Sequence, residues 1–307
     1  MKTKTIIRNI SPINNLTEMP TILFVIKKML GFFLIYGMSV LLGEALIIGI
    51  LTAMGYDPLN GVMPTGYFAE LLKNYGFAVF FLIALLYCKF IEKRSIKSVG
   101  FNKRVYDYII GGAIALLLLT AIAFACCVTG VLSFNSIASN FDFLYLIALF
   151  IAFIIQSLAE ETICRGFLLK SLSNKTSLPV AIFVSSTAFA LPHLPSILEA
   201  DTQFAVVGVI NLYLVSIIFS LLYMLRSNIY IVSGLHCVWN FVLNGVMGLS
   251  VSGGNQNSNA IMNFTVVEQN ILSGGAYGLE ASIITTAVLG IVTIILVNVY
   301  CKRGNEK

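Results

Sequence analysis

Two adjacent glutamates, Glu160 and Glu161, and the chain's two histidines, His193 and His236, have the types and settings that chemistry needs. All four stand in strongly apolar stretches, where an ionisable side chain is expensive and is a functional candidate by default. In Glu160-Glu161-Thr162-Ile163-Cys164-Arg165-Gly166, a helix puts Glu161 and Arg165 four apart on one face, in the favourable order for an ion pair. Glu160 is five residues from Arg165, about 140° round the helix, so it points elsewhere. A buried carboxylate without a cation suits a general base near neutral pH. The plainer alternative is that both glutamates belong to a salt-bridge cluster at the cytoplasmic edge. Phe189 and His193 are also four apart, so the ring can lie against the imidazole and fix it. His236 and Asn240 repeat that spacing, with an imidazole and a carboxamide on one face. Together these groups supply a base, a proton carrier and donors for an oxyanion. That set serves hydrolysis by water, activated directly or by a metal ion. There is no HExxH, no membrane serine in a GxSG context and no pair of intramembrane aspartates. Three other kinds of intramembrane protease are thereby excluded.

The elements that must position these groups are membrane spans. Of the 307 residues, 58% are hydrophobic and 11% charged, far below the charge content of a soluble domain. So much apolar surface has to face lipid, which excludes a secreted disulfide scaffold, a nucleic-acid-binding domain and a disordered adaptor. The fold class expected is all-α, a polytopic membrane protein of about eight transmembrane helices. Apolar segments fall near 30–52, 75–91, 108–128, 143–165, 177–195, 206–225, 229–249 and 282–300. With the N-terminus inside, all nineteen Lys and Arg except Lys73 fall on the inner side, so the net charge of +5 records topology and needs no nucleic-acid partner. Both termini are then cytoplasmic, in a bacterial plasma membrane. The six cysteines read as free thiols.

Four regions are expected: a basic N-terminal leader over 1–28, the first transmembrane helices over 29–142, a catalytic core over 143–249, and an outward loop with the last helix over 250–307. The leader is read as an interfacial segment or a loose tail. The polar stretch 250–281 has room for a small hairpin or a lid. Glu44, in the outer half of the first helix, snorkels or pairs structurally, or else borders the cavity. The Trp239 ring is read as packing rather than substrate recognition. One geometric tension stands out. Counted from Ser177, His193 lies about 24 Å into the fifth helix at 1.5 Å per residue, whereas Glu160 is near the inner end of the fourth. For the two to meet, the fifth helix must start inside a cavity, tilt strongly, or break around Pro192 and Pro195. A water-filled, cytoplasm-facing catalytic cavity is expected.

EExxxR at Glu160 to Arg165, FxxxH at Phe189 to His193 and HxxxN at His236 to Asn240 occur in that order on membrane helices. Together they resemble the CPBP family of intramembrane proteases, which includes the type II CAAX prenyl endopeptidases and bacterial bacteriocin-processing, self-immunity and Abi relatives. The stretches EETICRGFLL, SSTAFALPHLP and YMLRSNIYIVSGLHCVWNF extend the likeness over about 143–249, and LSGGAYGLE at Leu272 to Glu280 is similar to a segment near the C-terminus of some bacterial members. Cys164 departs from the pattern, since members usually have an aromatic residue before the arginine.

The resemblance implies that Glu160 and His193 activate a water, that Glu161 and Arg165 order the site, and that His236 with Asn240 stabilises the oxyanion. It leaves zinc open, with Glu160, His193 and His236 as candidate ligands. It also implies a peptide or a membrane-anchored protein as substrate, met in the lipid bilayer. The competing readings are a non-proteolytic immunity or scaffold protein on the same fold and a proton-coupled transporter.

Overall fold

The computed structural model describes residues 8–64 and 67–305. Residues 1–7 of the expected leader, with Lys2 and Lys4, lie outside the described residues, as does Lys307 at the other end. Among the described residues, eight helices are long and apolar enough to cross a membrane, the number expected. They are α1 (Thr21–Ala53), α2 (Tyr67–Leu86), α3 (Asp107–Val128), α4 (Phe143–Glu161), α5 (Leu178–Ala190), α6 (Thr202–Arg226), α7 (Ile229–Phe241) and α8 (Ile283–Asn305). Three run on into π-helical turns, α2 through Tyr87–Ile91, α4 through Thr162–Leu169 and α7 through Val242–Val246, and the span of α5 runs on to Leu198. The protein is an all-α polytopic membrane protein.

Helix α1 begins nine residues before the span read from hydropathy, at Thr21 instead of residue 30. The reason lies in Lys27 and Lys28, which look like the end of a span in sequence but are buried in the fold. The Lys27 ammonium donates to Asn14 Oδ1 at 2.7 Å and to the Leu16 carbonyl at 2.6 Å. Lys28 pairs with Glu92 and lies over the Phe24 and Phe167 rings. Residues 12–16 of the expected leader are thus packed against α1, and the Tyr87 hydroxyl donates to the Pro12 carbonyl. With their charge and donors satisfied, the two lysines continue the helix.

Basic side chains gather at one end of the bundle. Lys175 donates to the Thr17 carbonyl, Arg104 to the Arg226 carbonyl and Arg303 to the Leu225 carbonyl, joining the start of α1 and the ends of α4, α6 and α8. The polar stretch 250–281 closes the opposite end. It holds a strand but forms no hairpin of its own. β2 (Met262–Val266) pairs antiparallel with β1 (Leu132–Ile137), which comes from the α3–α4 connection, and Phe134 packs edge-on to Phe264. No local turn signal could reveal a partner so distant in sequence.

Two glycines set the depth at which α7 lies against α3. A Cβ at Gly111 would come within 1.9 Å of the Ile231 carbonyl oxygen, and one at Gly234 within 2.1 Å of the Tyr108 carbonyl oxygen. Only a hydrogen at each position allows this backbone-to-backbone crossing, the usual device where helices associate without a hydrophobic drive. His236 is two residues beyond Gly234, so its position depends on this crossing.

Candidate functional site

The height mismatch expected between Glu160 and His193 is resolved by two local irregularities. Helix α4 continues as helix to Leu172, so Glu160 lies about 18 Å from its inner end at 1.5 Å per residue. Helix α5 begins at Leu178, which puts His193 about 22 Å from the same end. The α5 hydrogen-bond ladder then tightens into a 3-10 turn at Leu191–His193 before resuming as Leu194–Leu198. Pro192 and Pro195 remove two backbone donors here, and the tighter turn accommodates their loss. His193 projects from that turn.

In α4 the change from α to π geometry begins at Thr162, directly after the two glutamates. A π turn frees carbonyls from their usual partners. Ser185 donates to the Cys164 carbonyl at 2.8 Å, and Arg94 donates to the Gly166 carbonyl at 3.0 Å. The irregular segment is therefore clamped from α5 and from the loop after α2.

Glu161 and Arg165 form the ion pair expected from their spacing. Nη1 of Arg165 is 3.0 Å from Glu161 Oε1, and both side chains are 0% exposed. Nη2 of Arg165 donates to the Ser216 hydroxyl at 2.7 Å and toward the Ser216 carbonyl at 3.3 Å. Its guanidinium lies 4.5 Å from the Phe189 ring and 5.1 Å from the Phe219 ring, two aromatic contacts that suit a delocalised planar cation. With Cys164 before the arginine, aromatic contact to Arg165 comes from α5 and α6. Burying both charges is expensive, and this density of partners offsets the cost.

His236 is held by the same carboxylate. Its Nδ1 donates to Glu161 Oε1 at 3.0 Å, so one oxygen serves both Arg165 and His236. Phe219 stacks on the imidazole and Phe189 meets it edge-on. Glu161 thereby fixes the protonated nitrogen and leaves Nε2 facing away, 3.9 Å from Glu160 Oε2.

Glu160 is the open member of the pair. Gln156 donates to its Oε1 at 3.2 Å, while Oε2 has no hydrogen-bond partner among the described residues. Two carboxylates and one guanidinium leave one negative charge in the cluster, and a single proton on Glu160 or His236 neutralises it. His193 is fixed differently. A carbonyl can only accept, so the 2.9 Å contact between His193 Nδ1 and the Phe189 carbonyl puts a proton on Nδ1. In neutral imidazole the basic lone pair is then on Nε2. The Phe189 ring lies against the imidazole, centroid to centroid 5.1 Å, as the four-residue spacing anticipated.

Glu160 and His193 border one chamber, together with Gln156, Asn244 and Ser252. It extends to Gly254 and Asn255 at the end of the bundle closed by 250–281, opposite the basic end. The cavity was expected to face the basic, cytoplasmic side, and this chamber runs the other way. His236 and Asn240 border a second cavity, and His193 lines both. Glu44 borders neither. It lines a groove between α1 and α2 with Lys73.

Sequence reasoning passed over Gln156, Ser216, Phe219 and Glu280. Gln156 carried a signal, being four residues before Glu160 on the same helix. Ser216 and Phe219 come from α6, and no spacing links them to Arg165. Trp239, read as packing, donates from its indole to Glu280 Oε1 at 2.9 Å and lines the second cavity. Zinc was the other open expectation. Among the described residues no three His, Cys, Asp or Glu are grouped to hold a metal ion. Glu160 and His236 are 3.9 Å apart, with Nδ1 of His236 committed to Glu161 and Nδ1 of His193 to the Phe189 carbonyl. As arranged these donors do not make a three-ligand set, and no step below is routed through a metal.

Residues 142–242 match the family model of the type II CAAX prenyl endopeptidase, Rce1-like. The match covers about a third of the chain. It is the third that carries Glu160, Glu161, Arg165, His193, His236 and Asn240. No curated protein matches the chain.

Proposed function

We propose that the protein is an intramembrane endopeptidase that hydrolyses a peptide bond of a membrane-anchored or peptide substrate with a water activated by Glu160 and His193. One observation carries this assignment: two adjacent glutamates in a buried site, one fully buried and paired with a guanidinium, the other without a guanidinium, partly exposed and lining a chamber it shares with an imidazole. In the reaction, Glu160 takes a proton from water while Nε2 of His193 orients it, and the hydroxide attacks the scissile carbonyl. The Asn240 carboxamide and a protonated Nε2 of His236 donate to the oxyanion that forms. As the tetrahedral intermediate collapses, Glu160 returns its proton to the leaving amine, and the new carboxylate departs with the water oxygen. Glu161 and Arg165 do no bond chemistry. They hold His236 in one orientation, with Nδ1 donating to Glu161.

The substrate would be met within the lipid bilayer, in a plasma membrane with both chain termini on the basic, cytoplasmic side. The chamber reaching away from that side favours a substrate whose scissile bond is presented from the opposite face. Zinc remains a separate question that metal analysis of purified protein addresses. Stoichiometric zinc lost on His236→Ala would establish ligation, and metal-free protein with full activity would exclude it.

The test is reconstitution of wild type and Glu160→Ala into liposomes with membrane-anchored candidate peptides, followed by mass spectrometry of the products. Wild type is expected to yield two fragments whose masses sum to the substrate plus one water, and Glu160→Ala none. Undiminished cleavage by Glu160→Ala would overturn the assignment of the base.

A further inference from the structure

The second cavity, on the side of His193 and His236 away from the chamber of Glu160, has a composition that the chemistry above does not use. Phe189, Leu212, Val215, Phe219 and Leu289 give it an apolar wall, and Glu280 closes one side. Glu280 comes from the stretch 275–281, which turns back into the bundle as two short 3-10 turns, Gly275–Tyr277 and Leu279–Ala281. Asn211 of α6 ties this stretch down, its carboxamide donating to the Glu280 carbonyl at 2.8 Å and the Ser282 carbonyl at 2.9 Å. The carboxylate is held from both sides by neutral donors, the Trp239 indole on Oε1 and the Ser252 amide on Oε2. No Lys, Arg or His forms an ion pair with it among the described residues. Glu280 is therefore a rigidly oriented negative charge beside a largely apolar cavity, with no cation of the protein's own.

A further polar atom in the wall of this cavity is unsatisfied. Asn211 Oδ1 is buried without a partner, while the Tyr277 hydroxyl interacts with the Ser196 and Ser252 side chains. Burial holds the Tyr277 phenol above its usual range, with the Glu280 charge adding to it, so the hydroxyl stays neutral. The Glu280 carboxylate, with one neutral donor on each oxygen, and the unpartnered Asn211 Oδ1 are acceptors that can take further donors. Buried acceptors are rarely left this way unless something else supplies the protons.

We infer that this cavity is a specificity pocket for a basic side chain of the substrate, lysine or arginine, next to the scissile bond. The apolar wall takes the methylene stem, and Glu280 takes the charged head. His193 borders both this pocket and the chamber of Glu160, and His236 and Asn240 border the pocket itself. A side chain seated here is thus attached to backbone that passes the catalytic groups. The inference rests on the protease assignment for its meaning but not for its test, because Trp239 is the only tryptophan in the chain and contacts Glu280 directly.

The experiment therefore has a binding arm and a cleavage arm. In the first, N-acetyl-lysine methylamide and its uncharged norleucine analogue are titrated against full-length protein in nanodiscs, read by Trp239 fluorescence. Saturable binding of the lysine compound is expected to be at least about tenfold tighter than that of the norleucine compound, and Glu280→Gln to bring the ratio to about one. In the second, membrane-anchored peptides carrying lysine, norleucine or glutamate in turn at each residue around the cleaved bond are compared by kcat/KM. One position is expected to prefer lysine over norleucine by about tenfold or more in wild type, and Glu280→Lys to turn that preference toward glutamate. Cleavage with no basic preference at any position, together with no difference in binding, overturns the pocket and leaves the protease standing. Binding that depends on charge and on Glu280, with no cleavage of any peptide, keeps the pocket and overturns the protease.

Discussion

Glu160 and Glu161 are neighbours on one helix, yet they belong to opposite kinds of environment. Glu161 is 0% exposed, and a single one of its oxygens meets both Arg165 and His236 at 3.0 Å. Glu160 is 13% exposed at the side chain, is bonded on one oxygen to Gln156 and has no guanidinium partner; the second oxygen of each carboxylate is without a hydrogen bond. One step along the helix turns a carboxylate by about 100°, and that rotation separates a charge built into the packing from a charge kept available. The closed half of the site consists of Glu161, Arg165, Ser216, Phe189, Phe219 and one edge of His236. The open half consists of Glu160, His193, Asn240 and the other edge of His236. A buried ion pair spends its interactions on holding structure, and a reactive group needs an unspent one.

Substitutions that strike the two halves separately should therefore separate activity from stability. The largest expected effect is His193→Ala in the open half, with kcat falling about 10²- to 10⁴-fold as a proton-handling group is lost. Its thermal unfolding midpoint in detergent should stay close to wild type, since the imidazole's one bond in the fold is to its own helix. In the closed half, Arg165→Met leaves the buried Glu161 without its guanidinium and should cost about 3–5 kcal/mol of stability, read as a fall in that midpoint. Asn240→Ala removes one oxyanion donor, and kcat should drop about 10²- to 10³-fold with little change in KM. Ser216→Ala takes one hydroxyl from Arg165 and should cost about 1.5–3 kcal/mol of stability. If His193→Ala unfolded the protein, or Arg165→Met left the midpoint unmoved, the division into halves would be wrong.

What could be seen from sequence divides along a similar line. The number of spans was legible because lipid leaves no alternative to long apolar helices. The Glu161–Arg165 pair and the Phe189–His193 contact were legible because residues four apart on a helix must meet. What joined the helices was not. Ser216 and Phe219 reach Arg165 from α6, and Glu280 reaches Trp239 from a stretch that reads as outward loop. Such contacts depend on how helices cross, here on the close approach of Gly111 and Gly234. The α1 boundary was misjudged for a related reason. Lys27 and Lys28 look like a span's end until Asn14 and Glu92, distant in sequence, are seen to satisfy them.

The central claim is that one glutamate of the pair reacts while the other braces. Glu160→Gln and Glu161→Gln, each isosteric, should be reconstituted side by side and scored for both peptide cleavage and unfolding midpoint. Glu160→Gln is expected to unfold at the wild-type temperature and to cleave nothing, whereas Glu161→Gln is expected to unfold at a clearly lower one. A Glu160→Gln protein that cleaves at the wild-type rate, or a Glu161→Gln protein as stable as wild type, would contradict it.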